Sequence, residues 1–175
     1  MSCILITGGA RAGKSSYAQK LAADIGEKVL FVATAEAKDE DMRLRIEKHK
    51  KSRPSRWETL EAPKNVAKVI ESAAGDYSIV IIDCITMLVS NLMLGVKDET
   101  FAESEILKEI NALINAMKAK SATYILVSNE VGLGIVPDNE LSRNYRDLLG
   151  RANQLLSSYA DDVYLLVAGI PVKIK

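Results

Sequence analysis

Short apolar, β-branched runs alternate along this chain with longer stretches in which apolar residues recur every three or four positions. The runs are "CILIT" (3–7), "KVLFVAT" (28–34), "YSIVIID" (77–83), "TYILVSN" (123–129) and "DVYLLVA" (162–168). Their nearly continuous apolar character predicts strands buried on both faces. The stretches between them predict helices over 14–25, 39–52, 63–75, 98–120 and 139–160. Strand–helix alternation of this kind implies an α/β fold with a mainly parallel central sheet flanked by helices and right-handed crossovers. The closing "GIPVKIK" predicts one more short strand, antiparallel and at an edge, because Pro171 has no N–H to give to a ladder. No repeat, low-complexity tract or linker divides the chain, so residues 1–175 are read as a single domain. Such sheets bind ligands beyond the carboxyl ends of their strands, which makes five strand ends the places to search.

Composition narrows the class of partner. Lys plus Arg and Asp plus Glu number 23 each among 175 residues, so no net field favours a nucleic acid or an anionic membrane, and a small-molecule substrate is expected. Cys3 and Cys84 are the two cysteines. They form no CxxC and no metal-ligand spacing, which speaks against zinc or a disulfide framework and suits a reducing, cytoplasmic setting. No apolar stretch approaches the roughly 18 residues of a membrane span, and the start lacks the basic region and cleavage site of a signal peptide, so no removed segment is expected.

The first strand runs directly into "GGARAGKS": Gly8, four residues, Gly13, Lys14 and Ser15 satisfy GxxxxGK[ST] between a strand and a helix. Glycines let the backbone curl so that successive N–H groups face phosphates, and the helix N-terminus adds partial positive charge. Lys14 is expected to reach the β and γ phosphates, and the Ser15 hydroxyl to ligate Mg²⁺. Asp83 closes the strand "IVIID" and is the matching carboxylate for the same ion. Together these residues indicate a nucleoside triphosphate but leave its reaction open, since kinases, motors, switches and nucleotidyl transferases all use such a loop.

The only histidine, His49, lies in "DEDMRLRIEKHKKSRPSRW" on the helix that Asp39 can cap. Acidic residues at its start and Lys50, Lys51 and Arg53 at its end suit the helix dipole, so a solvated helix with an incidental histidine is one reading. Four-residue spacing of Arg45, His49 and Arg53 offers another: one cationic face if the helix persists that far. Cations around an imidazole disfavour its charged form and could neutralise a triphosphate under attack. Attack at the α phosphorus would give a phosphoramidate and pyrophosphate. "LSRNYRDLLGRANQ" sets Arg143, Asp147 and Arg151 four apart, an expected exposed ion-pair face.

"TGGARAGKS", "VATAEAKDEDMRLRIEKHKKSRPSRW", "DCITMLVSNL", "SNEVGLGIVP", "RDLLGRANQ" and "VAGIPVKIK" occur in this order. In this the chain resembles, nearly end to end, the bifunctional adenosylcobinamide kinase/adenosylcobinamide-phosphate guanylyltransferase family of cobalamin biosynthesis. The resemblance implies a RecA-like P-loop NTPase fold and a homotrimer. It implies phosphorylation of adenosylcobinamide with ATP or GTP, then transfer of GMP from GTP onto that phosphate. It makes His49 the guanylylated residue and Lys14 catalytic. Nucleotide contacts fall to Gly8, Gly9, Ala10, Arg11, Ala12, Gly13, Lys14 and Ser15, to Ala33, Thr34 and Ala35, to Lys50, Lys51, Ser52 and Arg53, and to Glu61 and Asp83. Two positions depart from the family's pattern: Ala12 replaces a common Ser, and Leu88 a frequent Trp. A simple P-loop kinase without the covalent step remains the alternative; a nucleotide-dependent switch is disfavoured, because "SNEV" lacks the Lys and Asp of an NKxD motif.

Overall fold

The computed structural model of the chain describes residues 2–26, 28–95 and 99–175. The five predicted strands form as β1 (Ser2–Gly8), β2 (Val29–Ala33), β4 (Ile79–Asp83), β5 (Thr123–Val127) and β6 (Asp162–Val167). A further strand, β3 (Glu58–Glu61), was not expected, and β7 (Ile170–Lys173) is the expected C-terminal one. They make one sheet in the order β3-β2-β4-β5-β1-β6-β7, parallel throughout except that β7 runs antiparallel to β6 at the edge.

The helices are α1 (Lys14–Ile25), α2 (Glu40–Ser52), α3 (Val66–Ala73), α4 (Ile85–Met93), α5 (Glu99–Ala119) and α6 (Glu140–Tyr159). The predicted 63–75 element is shorter as an α-helix and finishes in a 3₁₀ turn over Ala74–Asp76. Predicted helix 98–120 is observed from Glu99, with residue 98 outside the described residues. α4 was not predicted at all. Six of its nine residues are buried, so no polar face exposes a helical period.

Alternate residues of each strand serve two cores, as a pleated strand requires. Cys3 and Leu5, Leu30 and Val32, Val80 and Ile82, and Tyr124 and Leu126 face the layer of α3, α4, α5 and α6. Ile4 and Ile6, Phe31, Ile79 and Ile81, and Ile125 and Val127 face α1, which meets them with the small Ala18 and Ala22. Burial on both sides explains why the strands read as unbroken apolar runs. The register then aligns the strand ends in one row: Ile6 opposite Val127, Val127 opposite Asp83, Asp83 opposite Ala33, and Ala33 opposite Glu61. Residues remote in sequence thus meet along one rim.

Candidate nucleotide site

The phosphate loop leaves β1 at that rim. Gly8 has φ 145°, and a Cβ there would stand 2.5 Å from the Leu166 carbonyl oxygen of β6. Gly13, at φ 91°, ends the loop ahead of α1. Both conformations favour glycine, which accounts for the motif's fixed glycines. The loop is fastened outward: the Gly169 N–H donates to Ala12 O at 3.1 Å and the Glu130 N–H to Gly8 O at 3.0 Å. Lys14, the first helical residue, is buried and curls back, its Nζ donating to Gly9 O at 2.6 Å. Burial pulls its ammonium below the usual lysine range, while Cys84 and Asp83 act in the opposite sense. A cation so placed sits within the loop that would hold phosphate oxygens.

Asp83 stands at the tip of β4, separated from the loop's own strand by β5. Burial raises its pKa above the usual carboxylate range, opposed by a hydrogen bond with the Ser15 side chain and by the charges of His49, Arg53 and Lys14. Those four partners come from α1, α2 and the segment after α2. Ser15 and Asp83 present two hard oxygen donors side by side. That donor set suits a magnesium ion, which takes one or two protein oxygens and completes its shell with phosphates and water.

The wall beside Asp83 is a polar clasp. The Thr34 N–H donates to Asp83 O at 3.1 Å, and its hydroxyl donates to Cys84 O and accepts from the Cys84 N–H, both at 2.7 Å. Asn91 of α4, 2% exposed, donates to Thr34 O at 2.8 Å and to Pro63 O at 3.0 Å. Thr34 is fully buried, with its polar groups engaged inside the protein. Ala33 and Ala35 flank it, and Ala33 O accepts from the Ala62 N–H.

α2 brings the imidazole. Asp39 caps it, accepting from the Met42 N–H at 2.7 Å, and acid–base pairs such as Arg45 with Asp41 line its surface. None of its residues is buried. The expected cationic face of Arg45, His49 and Arg53 does not form: α2 ends at Ser52, and Arg53 adopts φ −81°, ψ 143°. Pro54 is the cause, since a following proline disfavours the α region. Arg53 turns inward instead, its guanidinium 3.9 Å from the centre of the Phe31 ring. Burial pulls its pKa down, against the charges of Asp83 and Glu61, and its Nε and Nη1 have no hydrogen-bond partner. Lys50 pairs with Glu61, tying the end of α2 to β3. Lys51 is exposed, and the Ser52 hydroxyl donates to His49 O at 2.8 Å.

The expected ion-pair face on α6 is also corrected. Arg151 pairs with Glu103 of α5, Asp147 with Arg146, and Arg143 donates to the carbonyls of Pro137 and Asp138. These arginines reach across to neighbouring segments because long guanidinium side chains follow the available acceptors, not the helical spacing alone.

A family model described as cobinamide kinase / cobinamide phosphate guanyltransferase matches residues 4–174. The chain belongs to this family.

Three relatives agree with the family match. The bifunctional adenosylcobalamin biosynthesis protein CobU of Escherichia coli K12 is 42% identical over 180 residues, covering 98% of this chain and 99% of that protein. The protein of the same name from Salmonella typhimurium LT2 matches equally, with the same coverage. CobP of Pseudomonas aeruginosa PAO1 is 40% identical over 171 residues, covering 98% and 96%.

Along the rim, Ala33 stands level with Glu61 and Asp83, Thr34 and Ala35 follow Ala33, Lys50 pairs with Glu61, and the charges of Lys14, Arg53 and His49 act on Asp83. Leu88, one of the two departures, is fully buried in the helical core, which makes its role one of packing. Ala12 holds the Gly169 N–H with its carbonyl and packs its methyl against the core on the α1 side. Asn91 and Phe31 escaped the sequence reading. The signal for Asn91 was present, an amide inside the mostly apolar "ITMLVSNLM"; Phe31 gave none, because a strand aromatic looks like any other core residue.

Proposed function

We propose that this chain performs both reactions of its family. In the first, the γ phosphoryl of ATP or GTP passes to a hydroxyl of adenosylcobinamide; the γ-phosphoanhydride breaks, the nucleoside diphosphate leaves and the hydroxyl proton is released. Lys14 and the loop N–H groups hold the β and γ phosphates and carry the charge that moves between them. Mg²⁺ held by Ser15 and Asp83 would neutralise phosphate charge.

In the second reaction a nitrogen of His49 attacks the α phosphorus of GTP. The α–β anhydride breaks, pyrophosphate leaves, and a phosphoramidate forms. A phosphate oxygen of adenosylcobinamide phosphate then attacks the same phosphorus, the P–N bond breaks, His49 is restored and adenosylcobinamide-GDP is released. Arg53, whose guanidinium lies beside Phe31 and whose charge acts on Asp83, would neutralise the leaving pyrophosphate or the α phosphate.

The observation that carries this reading is the position of Asp83, which feels Lys14 and Ser15 from the loop and His49 and Arg53 from the α2 side. On this reading, two kinds of phosphate chemistry would share one rim. A kinase alone is the second reading, favoured by the exposure of His49 on a helix with no buried residue. Incubation with α-labelled and then γ-labelled GTP separates them. His49→Ala should lose all stable labelling from the α position and retain phosphorylation, whereas Lys14→Ala should lose phosphorylation severely. Full guanylyl transfer by His49→Ala would overturn the covalent histidine step, and an unaltered chain that takes no label from the α position and transfers no GMP would leave the kinase reading standing.

The homotrimer implied by the resemblance is part of the proposal. Ile135, 96% exposed, and Val136 on the β5–α6 connection, with Ile170, Val172 and Ile174 at the sheet's antiparallel edge, are apolar surface that a second copy would cover. Cytoplasmic placement rests on the unpaired Cys3 and Cys84. Among the described residues no helix is long and apolar enough to cross a membrane.

A further inference from the structure

The phosphate loop has two flanks, and the rim described above lies along one of them. In the sheet order, β4, β2 and β3 lie on one side of β1, and β6 and β7 on the other. On the second side an open groove of about 390 Å³ runs between the loop residues Gly9, Ala10, Arg11 and Ala12 and the end of β6. Leu165, Leu166, Val167 and Ala168 form its far wall, and Leu133 and Glu130 close one end. This volume falls within the roughly 300–1,000 Å³ of small-molecule sites.

The groove is built rather than incidental. The Gly169 N–H to Ala12 O bond joins the β6–β7 turn to the loop, and the Glu130 N–H to Gly8 O bond joins the β5–α6 connection to it. Ala168 and Arg11 both hold positive φ, 50° and 59°, so both margins of the groove are set by fixed backbone conformations. Any triphosphate in the loop must send its nucleoside out along one flank or the other. On the His49 flank the α phosphorus must face the imidazole, and the corrinoid phosphate must later enter there. The kinase step has no such need, and its acceptor hydroxyl requires room near the γ phosphate.

We infer that the groove between the phosphate loop and the β6–β7 turn seats the purine base and ribose of the phosphoryl donor in the kinase step, apart from the flank where GTP is opened at its α phosphorus. This rests on the kinase reading above and adds where the donor lies. Its lining also sets selectivity. Leu133, Leu165, Leu166, Val167 and Ala168 offer apolar contact, Arg11 offers a planar cation for stacking, and the Glu130 carboxylate is already accepting from the Gly132 N–H at 2.7 Å. A base held by stacking and shape, with few groups reading its hydrogen-bonding edge, is poorly discriminated. ATP and GTP should therefore serve as phosphoryl donors with kcat/KM values within about tenfold of each other.

The test is photolabelling of the unaltered full chain with 8-azido-ATP, followed by peptide mapping. ATP-protected label within residues 9–12, 130–133 or 165–168 is the expected result. Protected label confined to residues 33–61, in a protein that still phosphorylates its acceptor, would overturn the inference while leaving the kinase reading intact. Absence of both protected label and phosphorylation would instead remove the kinase reading and this inference with it. Leu133→Glu and Val167→Glu supply a second measurement. Each should raise the KM for ATP in phosphorylation at least tenfold more than it raises the GTP concentration needed to label His49. Equal effects on the two would count against a separate donor groove.

Discussion

Thr34, expected among the nucleotide contacts, is also tied into the protein by its own hydrogen bonds. Its hydroxyl bridges the two backbone groups of Cys84, immediately after Asp83, and its carbonyl is held by Asn91. The side chain therefore fixes where the Asp83 carboxylate stands. Thr34→Val keeps the shape, removes both hydroxyl bonds and leaves the Cys84 N–H without its partner, at a cost of about 1–3 kcal/mol. Urea denaturation should show that loss, with phosphorylation weakened in kcat more than in nucleotide KM. Unchanged stability with a raised KM would restore a direct contact. A second residue-scale prediction concerns Cys3, whose thiol is pushed up from 9.0 to about 12 by burial first and by the charge of Asp161 second. The unfolded chain gives up that proton before the folded one, so the stability associated with the neutral thiol is retained below pH 9 and lost as pH rises from about 9 towards 12. Cys3→Ala should flatten the alkaline fall of the urea midpoint. Identical slopes for the two proteins would contradict this.

At the scale of elements, α2 shows both what the sequence made legible and where local rules competed. Its start was readable from Asp39 and the acidic first turn, and its cationic end from the helix dipole. The helix was expected over 39–52 and does end at Ser52; only the cationic face, conditional on the helix reaching Arg53, fails, and Pro54 is the reason. β3 was too short and too exposed to alternate clearly, and α4 was too buried to show a polar face. The strands, loop and Asp83 were legible because a buried parallel strand ending at a glycine loop or a carboxylate has few other readings. Their meeting along one rim needed the register, which no local pattern encodes. With no buried residue, α2 should open independently of the rest. Asp39→Ala should reduce amide-exchange protection across Glu40–Ser52, with a local loss of about 0.5–2 kcal/mol, and leave the global melting temperature nearly unchanged. Guanylylation of His49 should slow while phosphorylation persists. A fall in melting temperature of several degrees would show that α2 is anchored more firmly than its exposure implies.

For the molecule as a whole, the proposed function makes one phosphate loop the hinge between two chemistries. β1 delivers the loop; β4, β2 and β3 on one side bring Asp83, Ala33 and Glu61 level with it, and Lys50 and Arg53 connect that rim to α2. β6 and β7 brace the loop from the other side. The described residues contain one such loop, with Lys14 already drawn into it. If both reactions hold their triphosphates there, a single chain cannot carry a phosphoryl donor and an unreacted GTP at once, whichever flank each nucleoside takes. The two reactions must alternate. β,γ-Imido-ATP, which fills the loop without transferring its terminal phosphoryl, should then slow the labelling of His49 by α-labelled GTP in a strictly competitive manner, raising the GTP requirement and leaving the maximal labelling rate intact. Once His49 is guanylylated and pyrophosphate has gone, the loop is vacant again, so the analogue should not impede transfer of GMP from preformed adduct to the corrinoid phosphate. Inhibition that excess GTP fails to relieve, or no inhibition of labelling at all, would mean that the guanylylation step draws its triphosphate contacts from elsewhere on the rim.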